Sequence, residues 1–518
     1  MIRITLQNGS RIRLPSSQYR TGVTNFNSIH CNTTLTEPID RCHFHTATCC
    51  TYFSSLSKQR LNIKPSISKF SGRREHLSGI EVRGNSTISS IPPLQNFDTF
   101  VSCLPGLEQL LQNELLSLGI SSTSKPCGVE FQASSVDQIL QCHLKLGTAS
   151  QISLRTGPSF RALGMEELCL KVSRLKFWKQ YINMDPHLQS NTLPNLDIRV
   201  TSKKSRLYHT KGVEERVERG ILNSLGLDGQ AIMDKKKLSN QNKKEDSNAK
   251  IKACTDSIKI LVRIFRNEVE IMVDTSSSPL HKRGYRLEGG KAPLREDLAY
   301  ALLYSSGYQG GALLDPFCGS GTIAIEGAAI SAGYSPGRLR PAPLLGSRFY
   351  SDEKWRSALD DMYEIAERRR EHEENSMDKY ILGSDRDKGA IEAAMGNADR
   401  AGLSNLLKFE HRAISAVSWF EDPQSAPSTI LVATNPPFGH RVSKNKKDSL
   451  LPLYQTLGHK VQRLAETEGK SIHFSILAHN SRLARQTAIK NLNIQFASNH
   501  GGMKVFALGA KDISQYKK

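Results

Sequence analysis

Several things are missing from this sequence, and each absence excludes something. No run of about eighteen apolar residues occurs, so the chain offers no candidate transmembrane helix. Acids are absent before Glu37, while Arg3, Arg11, Arg13 and Arg20 are scattered among serines and threonines. Such an opening lacks the continuous apolar stretch of a secretory signal and reads as an organellar transit peptide. A chloroplast address is expected, with a mitochondrial one as the alternative. Regular cysteine spacing is missing too: the ten cysteines include an adjacent pair, Cys49-Cys50, and follow no disulfide framework. Cys42-x-His-x-His is followed by neither a second CxxC nor an HxxxH, so no metal site is expected.

Positive charge is in excess. Seventy Lys and Arg against fifty Asp and Glu give +20, which attracts polyanions over long range. Residues 1–90 hold twelve basic and four acidic residues, about +8, so about +12 belongs to the remainder. Such an excess is compatible with RNA, DNA or an anionic membrane as partner.

Residues 1–93 show no sustained periodicity and read as presequence and disordered linker. From residue 97 to 275 short strands and helices alternate as in an α+β module. The spacing predicts strands at Thr99–Leu104, Val129–Phe131, Ser150–Leu154, Leu196–Thr201, Ile258–Phe265 and Val269–Asp274, the last two joined by a tight turn at Arg266-Asn267. Helices are predicted at Gly106–Leu118, Val136–Leu146 and Glu166–Tyr181. A lysine-rich loop, 234–252, interrupts the module. Lys203, Lys204, Arg206 and Lys211 are candidate phosphate contacts, a solvated basic face being the alternative for each.

Residues 280–518 change grammar. Strands Ala312–Leu314, Tyr380–Gly383, Leu407–Glu410 and Ile430–Ala433 alternate with helices Arg295–Tyr304, Thr322–Ala332, Lys388–Ala401 and Leu450–Glu466. That order predicts an α/β domain with a mostly parallel, doubly wound sheet.

Two turns of this domain carry chemistry. Asp315-Pro316-Phe-Cys-Gly319-Ser-Gly321-Thr322 joins a strand to a helix, and its glycines let backbone approach a ligand where a Cβ would collide. It lacks the lysine of a GxxxxGK[ST] loop and the spacing of GxGxxG, which argues against phosphate cradling. Asp385 ends the next strand, where a carboxylate can accept from the hydroxyls of a ribose; capping the helix that starts at Lys388 is the alternative. In Asn435-Pro436-Pro-Phe438, the prolines make the turn rigid. The Asn side-chain oxygen and a proline carbonyl can accept from one exocyclic amine, and Phe438 can stack on a base.

The two turns resemble the D-P-x-C-G-S-G-T and N-P-P-[YF] signatures of class I amino-methyltransferases. Phe100–Gly119, Gly128–Phe131, Leu280-His-Lys-Arg-Gly-Tyr-Arg286 and Ala292-Pro-Leu-Arg-Glu296 are similar to the THUMP-domain 23S rRNA guanine-N2 methyltransferases. The resemblance covers about 97–510. It implies a Rossmann-like class I methyltransferase domain preceded by a ferredoxin-like/THUMP RNA-binding region. RNA is then the expected partner, and no membrane is. It implies S-adenosyl-L-methionine as cofactor, with Asp315, Pro316, Gly319 and Gly321 near its methionine part and Asp385 at its ribose. Asn435, Pro436 and Phe438 would meet the target base, the N2 amine of a guanine in rRNA, with tRNA as the alternative. Adenine-N6 and glutamine-N5 enzymes share N-P-P-[YF], but the basic front half disfavours a protein substrate. The intact Asp315, Asp385 and Asn435 argue against a non-catalytic assembly factor. One departure stands out: the family's acid near the adenine falls about where this chain has Arg412, in Glu410-His-Arg412.

Overall fold

The computed structural model describes residues 2–5, 11–14, 96–182, 194–227, 257–287, 293–373, 380–419, 427–438, 450–466 and 469–513 of the 518. The lysine-rich loop 234–252 lies outside them, as does most of the presequence. The chain divides into two units, Met1–Thr87 and Ile88–Lys518. In the first, β1 (Ile2–Thr5) pairs antiparallel with β2 (Arg11–Leu14). Sequence periodicity had predicted no ordered element there. Isoleucines alternating with polar residues on either side of Asn8-Gly9 are the composition of a hairpin.

The second unit holds two sheets. The front one is continuous over strands β3 (Phe97–Cys103), β4 (Thr123–Lys125), β5 (Gly128–Ala133), β6 (Ala149–Arg155), β8 (Leu196–Lys203), β9 (Ile258–Phe265) and β10 (Glu268–Asp274), in the order β4-β5-β3-β6-β10-β9-β8. Short β7 (Phe160–Arg161) pairs with β10. Every pairing is antiparallel except β8 with β9. Helices α1 (Glu108–Ser117) and α2 (Val136–Lys145) supply Leu111, Leu115, Ile139 and Leu144 to the core behind β3 and β5. The single helix expected over Glu166–Tyr181 is two, α3 (Met165–Ser173) and α4 (Phe177–Tyr181). The break lets the Trp178 indole donate to the Val172 carbonyl, and it buries Phe177, Trp178 and Tyr181 together. Helix α5 (Thr210–Ser224) packs on α3, with Gly220 so close to Val172 that a Cβ would sit 2.8 Å from it.

The rear sheet is β13-β12-β11-β14-β15-β17-β16. Its strands are β11 (Ala312–Asp315), β12 (Ile381–Asp385), β13 (Lys408–His411), β14 (Thr429–Thr434), β15 (Ser471–Ala478), β16 (Asn493–His500) and β17 (Met503–Ala510). The first five in that order run parallel, and β17 lies antiparallel between β15 and β16. This is a Rossmann-like, mostly parallel doubly wound sheet that follows an α+β front region, as the order of elements predicts. Helices α6 (Glu296–Ser305), α7 (Thr322–Ser331), α9 (Lys388–Arg400) and α10 (Leu451–Ala465) cover its faces; the long polar α8 (Asp352–Glu373) reaches instead to α2.

The two sheets are stitched through the stretch between α7 and α8. Gly337 N–H donates to Leu144, Arg340 to the His143 carbonyl, Leu344 N–H to Thr275 and Arg348 N–H to Tyr181, at 2.8, 2.8, 2.8 and 2.9 Å. Gly337 is required by closeness, because a Cβ there would lie 2.4 Å from the His143 oxygen. From the opening stretch of the second domain, the Arg283 guanidinium reaches back to the Gly147 carbonyl at 2.7 Å and to Glu326 of α7 at 3.4 Å. The front and rear sheets are therefore coupled through polar groups.

Candidate active site

Strand order reverses at β11, which has β12 on one side and β14 on the other; that is where a doubly wound sheet opens its ligand crevice. Both sequence motifs leave the sheet there. After β11 the chain turns through Gly319 (φ 51°) and Gly321 (φ 82°), both in the left-handed region that favours glycine. A Cβ on Gly321 would lie 2.7 Å from the Phe409 ring and 3.0 Å from Ala394, so this backbone is pressed onto β13 and α9. Gly319 has open space where its Cβ would be, so its requirement is conformational. The turn is pinned by Cys318 N–H to the Ser384 carbonyl at 3.0 Å and by Asn397 to the Ser320 carbonyl at 3.0 Å. Arg286 donates to Thr322 Oγ1 at 2.6 Å and anchors the first residue of α7.

Asp385 stands at the end of β12 and faces this turn. One carboxylate oxygen accepts from Gly319 N–H and the other from Asp387 N–H, each at 3.0 Å. Each oxygen keeps lone-pair capacity for a further donor. The cap of α9 is Asp387, whose Oδ1 accepts from Gly389 and Ala390 N–H. Capping thus falls to its neighbour and leaves Asp385 directed at the glycine turn.

Asp315 is 1% exposed. Its Oδ1 accepts from the Thr434 hydroxyl at 2.7 Å and from Phe317 N–H at 3.2 Å. Burial pushes its pKa from 3.8 up to about 7; those two hydrogen bonds oppose the shift and nearby Asp385 adds to it. The sign of the consequence is fixed. Between pH 4 and 7 the unfolded chain has released a proton that the folded protein still holds, so Asp315 stabilises fully below about 4 and loses that contribution as pH rises to about 7. Stability of the ligand-free protein should decline across this window by up to ~1.4 kcal/mol per pH unit from this group. Asp315→Asn keeps the shape and should flatten that decline in denaturant titrations at stepped pH. Parallel curves for wild type and variant would show that Asp315 ionises normally.

Thr434, the last residue of β14, brings the second motif to the first. Immediately after it, Asn435 presents a side-chain oxygen that is buried and has no hydrogen-bond partner among the described residues. A buried acceptor left unpaired costs about 1–3 kcal/mol, which makes this oxygen available to a donor outside the described residues. Pro436 is buried and Pro437 exposed. Phe438 is half-buried against the larger core cluster, with its ring 6.4 Å from that of His479 at the end of β15. Asn435, Asp315, Pro316, Gly319, Gly321 and Asp385 thus share one rim of the sheet. Lys203, Lys204, Arg206 and Lys211 do not join them; all four are exposed on the front sheet's β8 side.

Near Arg412, an acid is present one rung before the strand end. Glu410 is in register with Ser384, and its carboxylate is held by Lys408 at 2.9 Å and Arg412 at 3.3 Å. Arg412 N–H donates to the Asp385 carbonyl at 2.9 Å, so its backbone closes the end of β12. Sequence patterns did not single out Thr434, Asn397, Phe409 or Arg286 for the site. Adjacency to Asn435 was the one signal for Thr434; the others are distant in the chain and meet the loop only in the fold.

A glycine cradle at the switch point, a carboxylate aimed into it and, among the described residues, an unpartnered acceptor beside it are what a class I methyltransferase fold would present to S-adenosyl-L-methionine. The residues present fit that donor: small groups where it must approach backbone, and acids for its hydroxyls and cationic parts. Residues 283–502 match the RMKL-like methyltransferase domain, UPF0020. Residues 98–153 match the RlmL ferredoxin-like domain. Ribosomal RNA large subunit methyltransferase K/L of Saccharophagus degradans is 28% identical over 404 residues, 76% of this chain and 48% of that protein. The same enzyme of Syntrophotalea carbinolica is 31% identical over 402 residues, 76% and 50% respectively. The chain spans about half the length of these curated relatives. A possible methylase from Clostridium difficile 630 superposes with TM-score 0.61 at 25% identity, covering 80% of this chain and 97% of that one. SMU.472, solved as a complex with SAH, shares the fold at TM-score 0.62 and 21% identity, covering 80% and 98%.

Proposed function

We propose that the protein transfers a methyl group from S-adenosyl-L-methionine to the exocyclic N2 amine of a guanine in large-subunit (23S-type) rRNA of an organelle, the chloroplast in the first instance. The observation that carries this reading is the buried Asn435 Oδ1, without a partner among the described residues, beside the Asp315–Gly321 turn. That oxygen can accept one amine hydrogen and a proline carbonyl the other, which turns the nitrogen lone pair outward. The cofactor supplies an already electrophilic methyl, so the chain's task is alignment at roughly 3–3.5 Å. Phe438 offers a face for the base, which must leave any duplex to reach the rim. Net charge of +20 and the names of the two ribosomal RNA relatives support an rRNA substrate. The acid-poor N-terminus supports organellar import.

The test is nucleoside mass spectrometry of organellar rRNA and tRNA incubated with the protein and isotopically labelled cofactor. Labelled N2-methylguanosine in large-subunit rRNA is expected. Label in tRNA, or on adenine, would replace the substrate assignment. A version beginning near Pro93 should methylate RNA in vitro yet fail to enter the organelle; much weaker RNA binding by it would make the N-terminus an RNA arm instead.

Asp385 is assigned to the cofactor ribose in the same reading. Asp385→Ala should weaken S-adenosyl-L-methionine binding by roughly 1.5–3 kcal/mol, the range for hydrogen bonds to a charged group. Calorimetry giving wild-type affinity in a folded variant would remove Asp385 from that role.

A further inference from the structure

The front sheet ends in a face that the methyl-transfer site does not use. Strands β8 and β9 run parallel in register, so Arg199 opposes Leu261, Thr201 opposes Arg263 and Lys203 opposes Phe265. On the inner side of the same strands Ile198, Ile260, Val262 and Ile264 are buried in the core. On the outer side Arg199, Thr201, Lys203, Arg263 and Phe265 are exposed. Phe265 is 52% exposed, and Tyr208, five residues beyond the end of β8, is 79% exposed. Two such aromatics among cations are not explained by core packing.

The rim of this face is built. The turn between β9 and β10 takes left-handed conformations at Arg266 (φ 52°) and Asn267 (φ 68°). Asn267 Oδ1 accepts from Arg206 N–H at 2.8 Å, the Ser205 hydroxyl accepts from Asn267 N–H at 3.0 Å, and Arg266 N–H donates to the Lys203 carbonyl at 3.2 Å. These bonds clamp the Lys203–Arg206 loop onto the turn beside Phe265. The Arg266 guanidinium lies 5.3 Å from the Phe265 ring centroid, so a cation already borders that π face. Three acids are close by: Asp197 is paired with Arg199 at 3.1 Å, Glu268 is the register partner of Phe265 on β10, and Glu270 is that of Arg263, its carboxylate already held by Arg155 at 2.9 Å. Against them stand Lys203, Lys204, Arg206, Arg263 and Arg266, so the rim is positive.

We propose that this face is a stacking platform for a single-stranded stretch of the RNA substrate, with Phe265 and Tyr208 under bases and Lys203, Arg206 and Arg263 on phosphates. It deepens the proposed function and rests on its RNA substrate. Aromatic rings reward only unstacked bases, whereas cations alone would hold duplex equally well. The chemistry on this face therefore selects single strands over helices. It provides a grip on RNA separate from the pocket that takes the target base.

Fluorescence anisotropy with the full chain, a ~12-nucleotide single-stranded RNA and its duplex tests this. The wild type should prefer the single strand, and Phe265→Ala should weaken that binding about tenfold while leaving the duplex unchanged. Phe265→Trp should restore it. Lys203→Glu with Arg263→Glu should flatten the salt dependence of binding. Equal affinity for strand and duplex in the wild type, or unaltered strand binding by Phe265→Ala, would overturn the platform. Methyl transfer is scored separately: absence of any single-strand preference in the wild type with guanine methylation intact sinks the platform alone, and Phe265-dependent binding without guanine methylation sinks the reaction assignment alone.

Discussion

Replacing Asn435 with alanine is expected to slow methyl transfer by about 100-fold or more while S-adenosyl-L-methionine still binds with near wild-type affinity. The size follows from losing one preorganised hydrogen-bonding group that acts in the aligned state. In the free protein Asn435 Oδ1 has no partner among the described residues, so removing it breaks no bond of that oxygen to them and should spare the fold. The carboxylates at the rim, Asp315 and Asp385, are held by Thr434, Phe317, Gly319 and Asp387, none of which depends on the Asn435 side chain. Single-turnover assays on the correct RNA separate the chemical step from binding. Phe438→Ala should lose roughly 1–3 kcal/mol of base stacking, and Phe438→Tyr should retain most activity because its π face survives. Equal losses for Tyr and Ala would identify Phe438 as a packing residue against the core it already touches. Near-normal turnover by Asn435→Ala would end the amino-methyltransferase mechanism for this chain.

The parts of this site that could be read from sequence are those that follow local rules. Ala312–Asp315 and Thr429–Thr434 are short apolar strands, and each is followed directly by residues that cannot continue a strand. Position therefore revealed both turns. What stayed hidden lies far apart in the chain. Thr434 and Asp315 are 119 residues apart, and no periodicity brings a threonine hydroxyl to a buried acid. Helix α8 hid for another reason. Trp355, Leu359, Met362 and Ala366 do follow helical spacing, but a dense charged background covers them. The Glu166–Tyr181 helix broke because burying three aromatics of α4 outweighs continuing one amphipathic face. The exposure of Phe265 follows from alternation in β9, where it shares a face with Lys259 and Arg263 opposite Ile258, Ile260, Val262 and Ile264, although an aromatic by itself suggests core.

Arg283→Met is expected to cost about 3–5 kcal/mol of stability, because it strips the cation from a buried acid. Arg283 and Glu326 are nearly inaccessible, with side chains 2% and 5% exposed. The guanidinium also donates to the Leu280 and Gly147 carbonyls at 2.8 and 2.7 Å, so one side chain holds its own loop, the front sheet and α7. Glu326 would keep only the Tyr285 hydroxyl, at 3.0 Å. On the same α7, Thr322 opens the helix directly after Gly321, so a shift of α7 moves the cradle assigned to the cofactor. The double variant Arg283→Met with Glu326→Gln removes the stranded charge and should recover part of the loss, a coupling that a double-mutant cycle measures. Denaturant midpoints for the four proteins give the stability arm, and calorimetry with S-adenosyl-L-methionine gives the site arm. If the pair is what ties the halves together, the single variant loses cofactor affinity along with stability, and the double variant regains some of both. Additive losses would mean that the carbonyl bonds, and not the ion pair, carry the connection between the front sheet and the catalytic sheet.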